Sequence, residues 1–88
     1  MSVDCYSLAR QIVEYDQKYE LQDMETLVGE EESILSIEMD LSSSSATDAL
    51  FSRFNSVYRN PEFSRAQRSE ANAILEQLIS VIVIQLTA

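Results

Sequence analysis

Gly29 and Pro61 are the only glycine and the only proline among 88 residues. Hairpins and loop-rich folds draw on both, because glycine reaches positive φ and proline pre-sets a turn. Their scarcity predicts helices joined by short connectors. A hydrophobic content of 45% is ordinary for a packed domain rather than a disordered tail. Eighty-eight residues make one domain, 1–88, near the lower end of what folds on a single core.

In "DCYSLARQIVEYDQKYE", Leu8, Ile12, Tyr15 and Tyr19 are spaced four, three and four apart and fall on one helical face. Arg10, Glu14, Asp16 and Lys18 are expected to turn largely away from it, and Asp4 is placed to cap the helix. The apolar phase then shifts at Leu21, Met24 and Leu27, which predicts a break near Glu20–Asp23.

The stretch "DMETLVGEEESILSIEMDLSSSS" admits two readings. Leu27, Ile34 and Leu41 lie at heptad intervals with Ile37 between them, a helical pattern. Within it, "LSIEMDL" alternates apolar and polar residues as a strand would. Glu30–Glu32 after Gly29 favour the helix, because acids suit the positive end of a helix dipole and Gly29 can close the preceding helix.

"SSSSATD" reads as a connector over 42–46, since serine side chains compete for backbone hydrogen bonds. Thr47 or Ser45 is expected to cap the next helix, with Leu50, Phe51, Phe54 and Tyr58 as its apolar stripe. Pro61 restricts Asn60 to extended backbone, so that helix should finish by Arg59. The last helix should start at Pro61–Ser64, where Ser64 and Gln67 match a capping box, and should carry Ala71, Ile74, Leu75, Leu78 and Ile82 inward. The expected fold is an all-α bundle of three or four helices. The alternative is an α+β domain with strands near 35–41 and 80–87.

From Leu78 to Ile84 only Ser80 is polar, so the apolar side chains surround the helix axis. A helix apolar all round has to be covered all round, by its own bundle or by a second chain. Leu75, Leu78, Ile79, Ile82, Val83 and Leu86 are therefore the expected core or self-association residues, with a homodimer or hetero-oligomer as the expected state. As a terminal strand, the β-branched run Val81–Ile84 would need burial too.

The formal charge of −9 is concentrated in one half. Residues 1–48 hold twelve acids against Arg10 and Lys18, while residues 49–88 hold three acids against four arginines. Direct nucleic-acid binding is disfavoured, because phosphate contact requires a basic surface. Glu30, Glu31, Glu32, Glu38 and Asp40 are instead expected to face a basic protein partner. Tyr58, Arg59, Phe63 and Arg65 cluster around Pro61 and combine the residue types most common at binding hot spots, so a second contact patch is expected there.

The absence of histidine removes the usual Ser–His–Asp and Cys–His systems and the zinc sites built from both. One glycine cannot build a phosphate-binding loop, and Glu30–Glu32 lack the spacing of a calcium loop. No cofactor or metal is expected, and no enzymatic activity. Cys5, the single cysteine, reads as a half-buried helix residue and fits a reducing compartment. No signal peptide is read at the N-terminus, and the closing apolar run falls short of the roughly 20 residues that cross a bilayer. A cytoplasmic protein without membrane contact is the expectation.

The leading functional expectation is a small acidic adaptor, chaperone, inhibitor or immunity-type protein that acts by binding another protein. An acidic nucleic-acid mimic blocking a DNA-binding protein is an alternative. A further alternative comes from "NPEFSRAQ", Asn60–Gln67, followed by an apolar terminal helix. This stretch resembles the helical hairpin of type III secretion needle and rod subunits, over less than half of the chain and with one mismatch in spacing. The resemblance implies a helical subunit of a larger assembly.

Overall fold

The computed structural model describes residues 4–19 and 30–87. Four helices follow in order: α1 (Cys5–Tyr19), α2 (Glu30–Asp40), α3 (Ser44–Arg59) and α4 (Arg65–Thr87). The chain is an all-α bundle. Both segments of the alternative strand reading, 35–41 and 80–87, are helical or turn, and no strand occurs among the described residues. The expected break near Glu20–Asp23 and the closing role of Gly29 lie outside the described residues.

Each helix start has a local cause. Asp4 precedes α1, and its carboxylate accepts hydrogen bonds from the Tyr6 backbone N–H at 3.1 Å and the Ser7 hydroxyl at 2.8 Å. Those bonds hold the Asp4 carboxyl below its ordinary pKa, the Ser7 hydroxyl contributing most. α2 begins at Glu30, so the acidic triplet sits in a first turn as the dipole argument requires. Ser64 and Gln67 form the reciprocal capping box: Ser64 N–H donates to Gln67 Oε1 at 3.0 Å, and Gln67 N–H to Ser64 Oγ at 3.2 Å.

The connector between α2 and α3 is shorter than 42–46. Ser43, not Ser45 or Thr47, is the N-cap of α3, and only Leu41–Ser43 lie between the helices. Thr47 is fully buried one turn in, where its hydroxyl donates to the Ser43 carbonyl at 2.8 Å. α3 ends at Arg59, and Asn60 caps it in an extended conformation, as Pro61 demands.

α4 packs chiefly against α3, its hairpin partner, and also against α1, which in turn carries α2. Gln11 meets Gln77 while Tyr19 meets Glu70, so α1 runs antiparallel to α4. One core joins the helices: Leu8, Ile12 and Tyr15 of α1, Ile34 of α2, Phe54 and Val57 of α3, and Ala71, Ile74, Leu75, Leu78 and Val81 of α4. Cys5 is half-buried against it, as are Leu50, Phe51 and Tyr19.

Two sequence expectations are corrected. Asp16 does not turn away with its charged neighbours; it is buried and pairs with Arg53 of α3. Tyr58 leaves the inner stripe of α3, and Val57 takes the core position one residue earlier. Within this single chain the closing helix is covered on one side: Ile79, Val83 and Leu86 are 46%, 51% and 77% exposed, and Ile82 is partly covered. The physical reason is architectural. α2 lies on α1 instead of wrapping α4, so a single bundle encloses one side of that helix.

Candidate protein-interaction surfaces

The turn between α3 and α4 is a built structure. The Asn60 side chain accepts from Glu62 N–H at 2.9 Å, and the Asn60 carbonyl accepts from Phe63 N–H at 3.3 Å. The same carbonyl accepts from the Arg68 guanidinium at 2.9 Å, which ties the first turn of α4 to the end of α3. Tyr58, Phe63, Arg65, Arg68, Ser69 and Asn72 line an open hollow of about 450 Å³ beside this turn. Of the patch expected from sequence, Tyr58, Phe63 and Arg65 are thus brought together, while Arg59 is exposed at the end of α3 without lining the hollow.

Arg68, Ser69 and Asn72 were missed by sequence reasoning. Their signal was present: Arg65 and Arg68 stand three apart and share a helical face. Arginines in a first turn oppose the helix dipole, which favours acids there by roughly 0.3–1 kcal/mol each. The bond to the Asn60 carbonyl gives Arg68 a structural role there, whereas the dipole disfavours Arg65. The Arg68 Nε is buried and makes no hydrogen bond within the described residues.

A second surface is the outer face of α4. Ile79, Val83 and Leu86 follow one another by four and three residues, so their exposed side chains form one stripe. Among the residues expected to be core or self-associating, Leu75 and Leu78 are buried, whereas Ile79, Val83 and Leu86 are not. Taken whole, α4 spans 23 residues, and its most apolar window has a mean hydropathy of 1.2, long and apolar enough to cross a membrane by those two measures. The expectation of a run too short to span applied to Leu78–Ile84 alone. A helix that supplies five residues to a bundle core passes the same test.

The third surface is α2. Glu31, Glu32 and Asp40 are exposed and Glu38 is partly so; Glu30 opens the helix. Between these acids lie two apolar side chains the charge pattern had hidden, Leu35 at 53% and Met39 at 74% exposure. They are four residues apart, so α2 presents an apolar ridge edged with carboxylates.

A polar seam fastens α1 to the α3–α4 hairpin without forming a site. Asp16 Oδ1 lies 2.5 Å from the Arg53 guanidinium; burial pushes the Asp16 carboxyl above its ordinary pKa, and Arg53 opposes that rise. Tyr15 donates to the Gln67 carbonyl at 3.2 Å, and its phenol is pushed up to about 12, chiefly by burial. Glu70 accepts from Lys18 at 2.8 Å and Tyr19 at 2.6 Å, which holds its carboxyl below the usual range and raises the Lys18 ammonium. No group of three or more metal-ligating side chains is assembled among the described residues.

Comparison with protein-family models, with curated proteins and with solved structures finds no match to this chain. The likeness of Asn60–Gln67 to needle and rod subunits rests on those residues alone.

Proposed function

We propose that this chain is a non-enzymatic protein-interaction module that docks a protein partner on the outer face of α4. The observation that carries this reading is the exposed stripe Ile79–Val83–Leu86 on a helix whose opposite side completes the core. Fully burying a large aliphatic side chain is worth roughly 1.5–3 kcal/mol, and Ile79 and Val83 leave about half of that, and Leu86 more, unused by folding. A helical stripe at this spacing suits a partner that offers an apolar groove. The acids of α2 add a field that steers a basic partner and raises the rate of encounter. An adaptor, a chaperone and an inhibitor all fit this description.

The test is affinity capture from the native host, followed by binding measurements on the captured protein. Val83→Asp is expected to weaken binding about 30-fold or more, as removal of a hot spot does, while the melting transition stays close to that of the parent. Equal binding by parent and variant would remove the α4 face from the mechanism. Binding that survives Val83→Asp and is lost in Glu31→Gln/Glu32→Gln would move the interface to α2, where the nucleic-acid mimic also places it.

A further inference from the structure

We infer that the hollow beside the α3–α4 turn receives the acid-edged ridge of α2 from a second copy of this chain. This contact is separate from the α4 stripe and goes beyond the reading above. The hollow combines aromatic lining, Tyr58 and Phe63, with Arg65 and Arg68, and Arg59 is exposed close by at the end of α3. Those three arginines are half of all the basic residues in a chain of net charge −9. Arg65 and Arg68 at the start of α4, with Arg59 at the end of α3, make a local positive field on an otherwise acidic molecule.

The matching surface needs apolar side chains to cover the aromatics and carboxylates to meet the guanidinium groups. α2 supplies that combination: exposed Leu35 and Met39, with Glu31, Glu32 and Asp40 around them. Methionine against aromatic rings and carboxylate against arginine are both favourable pairings. The Met39 end of the ridge cannot reach the hollow of its own chain. The Leu41 carbonyl, just beyond α2, accepts a hydrogen bond from Gln85 near the end of α4. Gln85 lies 17 residues beyond Arg68, roughly 26 Å along the helix at 1.5 Å per residue. Met39 is thereby held at the far end of the bundle from the hollow. A ridge that seats Met39 on the aromatic lining is therefore supplied by another copy.

Such a contact joins two different faces. Repetition produces an open chain or a ring, the smallest ring being an antiparallel two-fold pair in which each hollow takes the other copy's ridge.

Sedimentation velocity over a concentration series, near 0.15 M salt, tests this. The parent is expected to pass from monomer to an assembled species, a pair or larger, as concentration rises. Leu35→Ser/Met39→Ser removes the ridge, and Tyr58→Ser/Arg65→Ser weakens the hollow; all four positions are exposed, and melting curves check that both variants fold. Each variant alone is expected to remain monomeric at concentrations where the parent assembles. An equimolar mixture is expected to stop at a one-to-one pair, because a single productive contact remains between the intact hollow of one and the intact ridge of the other. A parent that stays monomeric, variants that assemble like the parent, or a mixture that does not pair would each overturn the inference. Dissolution of the assembly by Val83→Asp would overturn it too and assign self-association to the α4 stripe, whereas loss of partner binding with assembly intact would leave both readings standing.

Discussion

Over its last turns, from Leu78 onward, α4 has two apolar faces with opposite fates. Leu78 and Val81 are sealed in the core, while Ile79 and Val83, each one or two residues away, stand about half in water. Hydrophobicity decides that a side chain gains from burial, but the number of neighbouring helices decides whether burial is available. α1 and α3 cover one side of α4, and nothing within the described residues covers the other. The interior shows the converse. Asp16 is a charged residue enclosed to 1% exposure and paired with Arg53, so this small bundle keeps a carboxylate inside while leaving aliphatic residues outside.

The sharpest way to break the comparison is to put a charge on each face in turn. Leu78→Asp is expected to abolish the folded state in a circular-dichroism melt. An unpaired buried carboxylate costs several kcal/mol, against a total stability of about 5–15 kcal/mol for an ordinary domain. Retention of a cooperative transition in that variant would mean that the inner face is less enclosed than described.

Removing the partner of the interior acid comes next. Arg53→Met leaves Asp16 buried and uncompensated, at an expected cost of about 3–5 kcal/mol near neutral pH. The pH dependence has a definite sign. Burial raises the Asp16 pKa in the folded state, so the folded chain binds the proton more readily than the unfolded one. Stability linked to this group is therefore lost as pH rises and regained as pH falls through the carboxylate range. Chemical denaturation of Arg53→Met from pH 7 to pH 4 should show the deficit shrinking; a deficit that grows on acidification would contradict the assignment.

Ser64→Ala removes one side of the capping box at the start of α4 and should cost about 1 kcal/mol. Because the hollow is built on that first turn, the same variant tests whether its shape depends on the cap. The smallest effect belongs to Glu70→Gln on the exposed seam. The Glu70 carboxyl is held low by Lys18 and Tyr19, so its contribution is present above the ordinary carboxylate pKa and fades as pH falls. Parent and Glu70→Gln melting curves should differ slightly at pH 7 and converge in acid.

Much of the fold was legible because its signals were local. The scarcity of glycine and proline, the Leu8–Ile12–Tyr15 periodicity, the Pro61 stop and the Ser64–Gln67 pair each act within a turn or two of helix. What was not legible depended on distant partners. Asp16 carries the same local signal as exposed Glu14, and only the arrival of Arg53 from α3 makes its burial tolerable. Exposure of Val83 likewise follows from where α2 packs, which no pattern inside α4 encodes. Candidate surfaces divide in the same way. Tyr58, Phe63 and Arg65 were visible as neighbours of one proline, whereas Leu35 and Met39 were masked by the acids around them.

The central claim is that the outer face of α4 is surface and not core, and thermal unfolding of Val83→Asp tests it most directly. If Val83 faces water, the variant should keep a single cooperative transition, with stability changed by about 0.5 kcal/mol or less, as surface substitutions usually are. Loss of the folded state in that one variant would show that Val83 is enclosed, and would contradict the account.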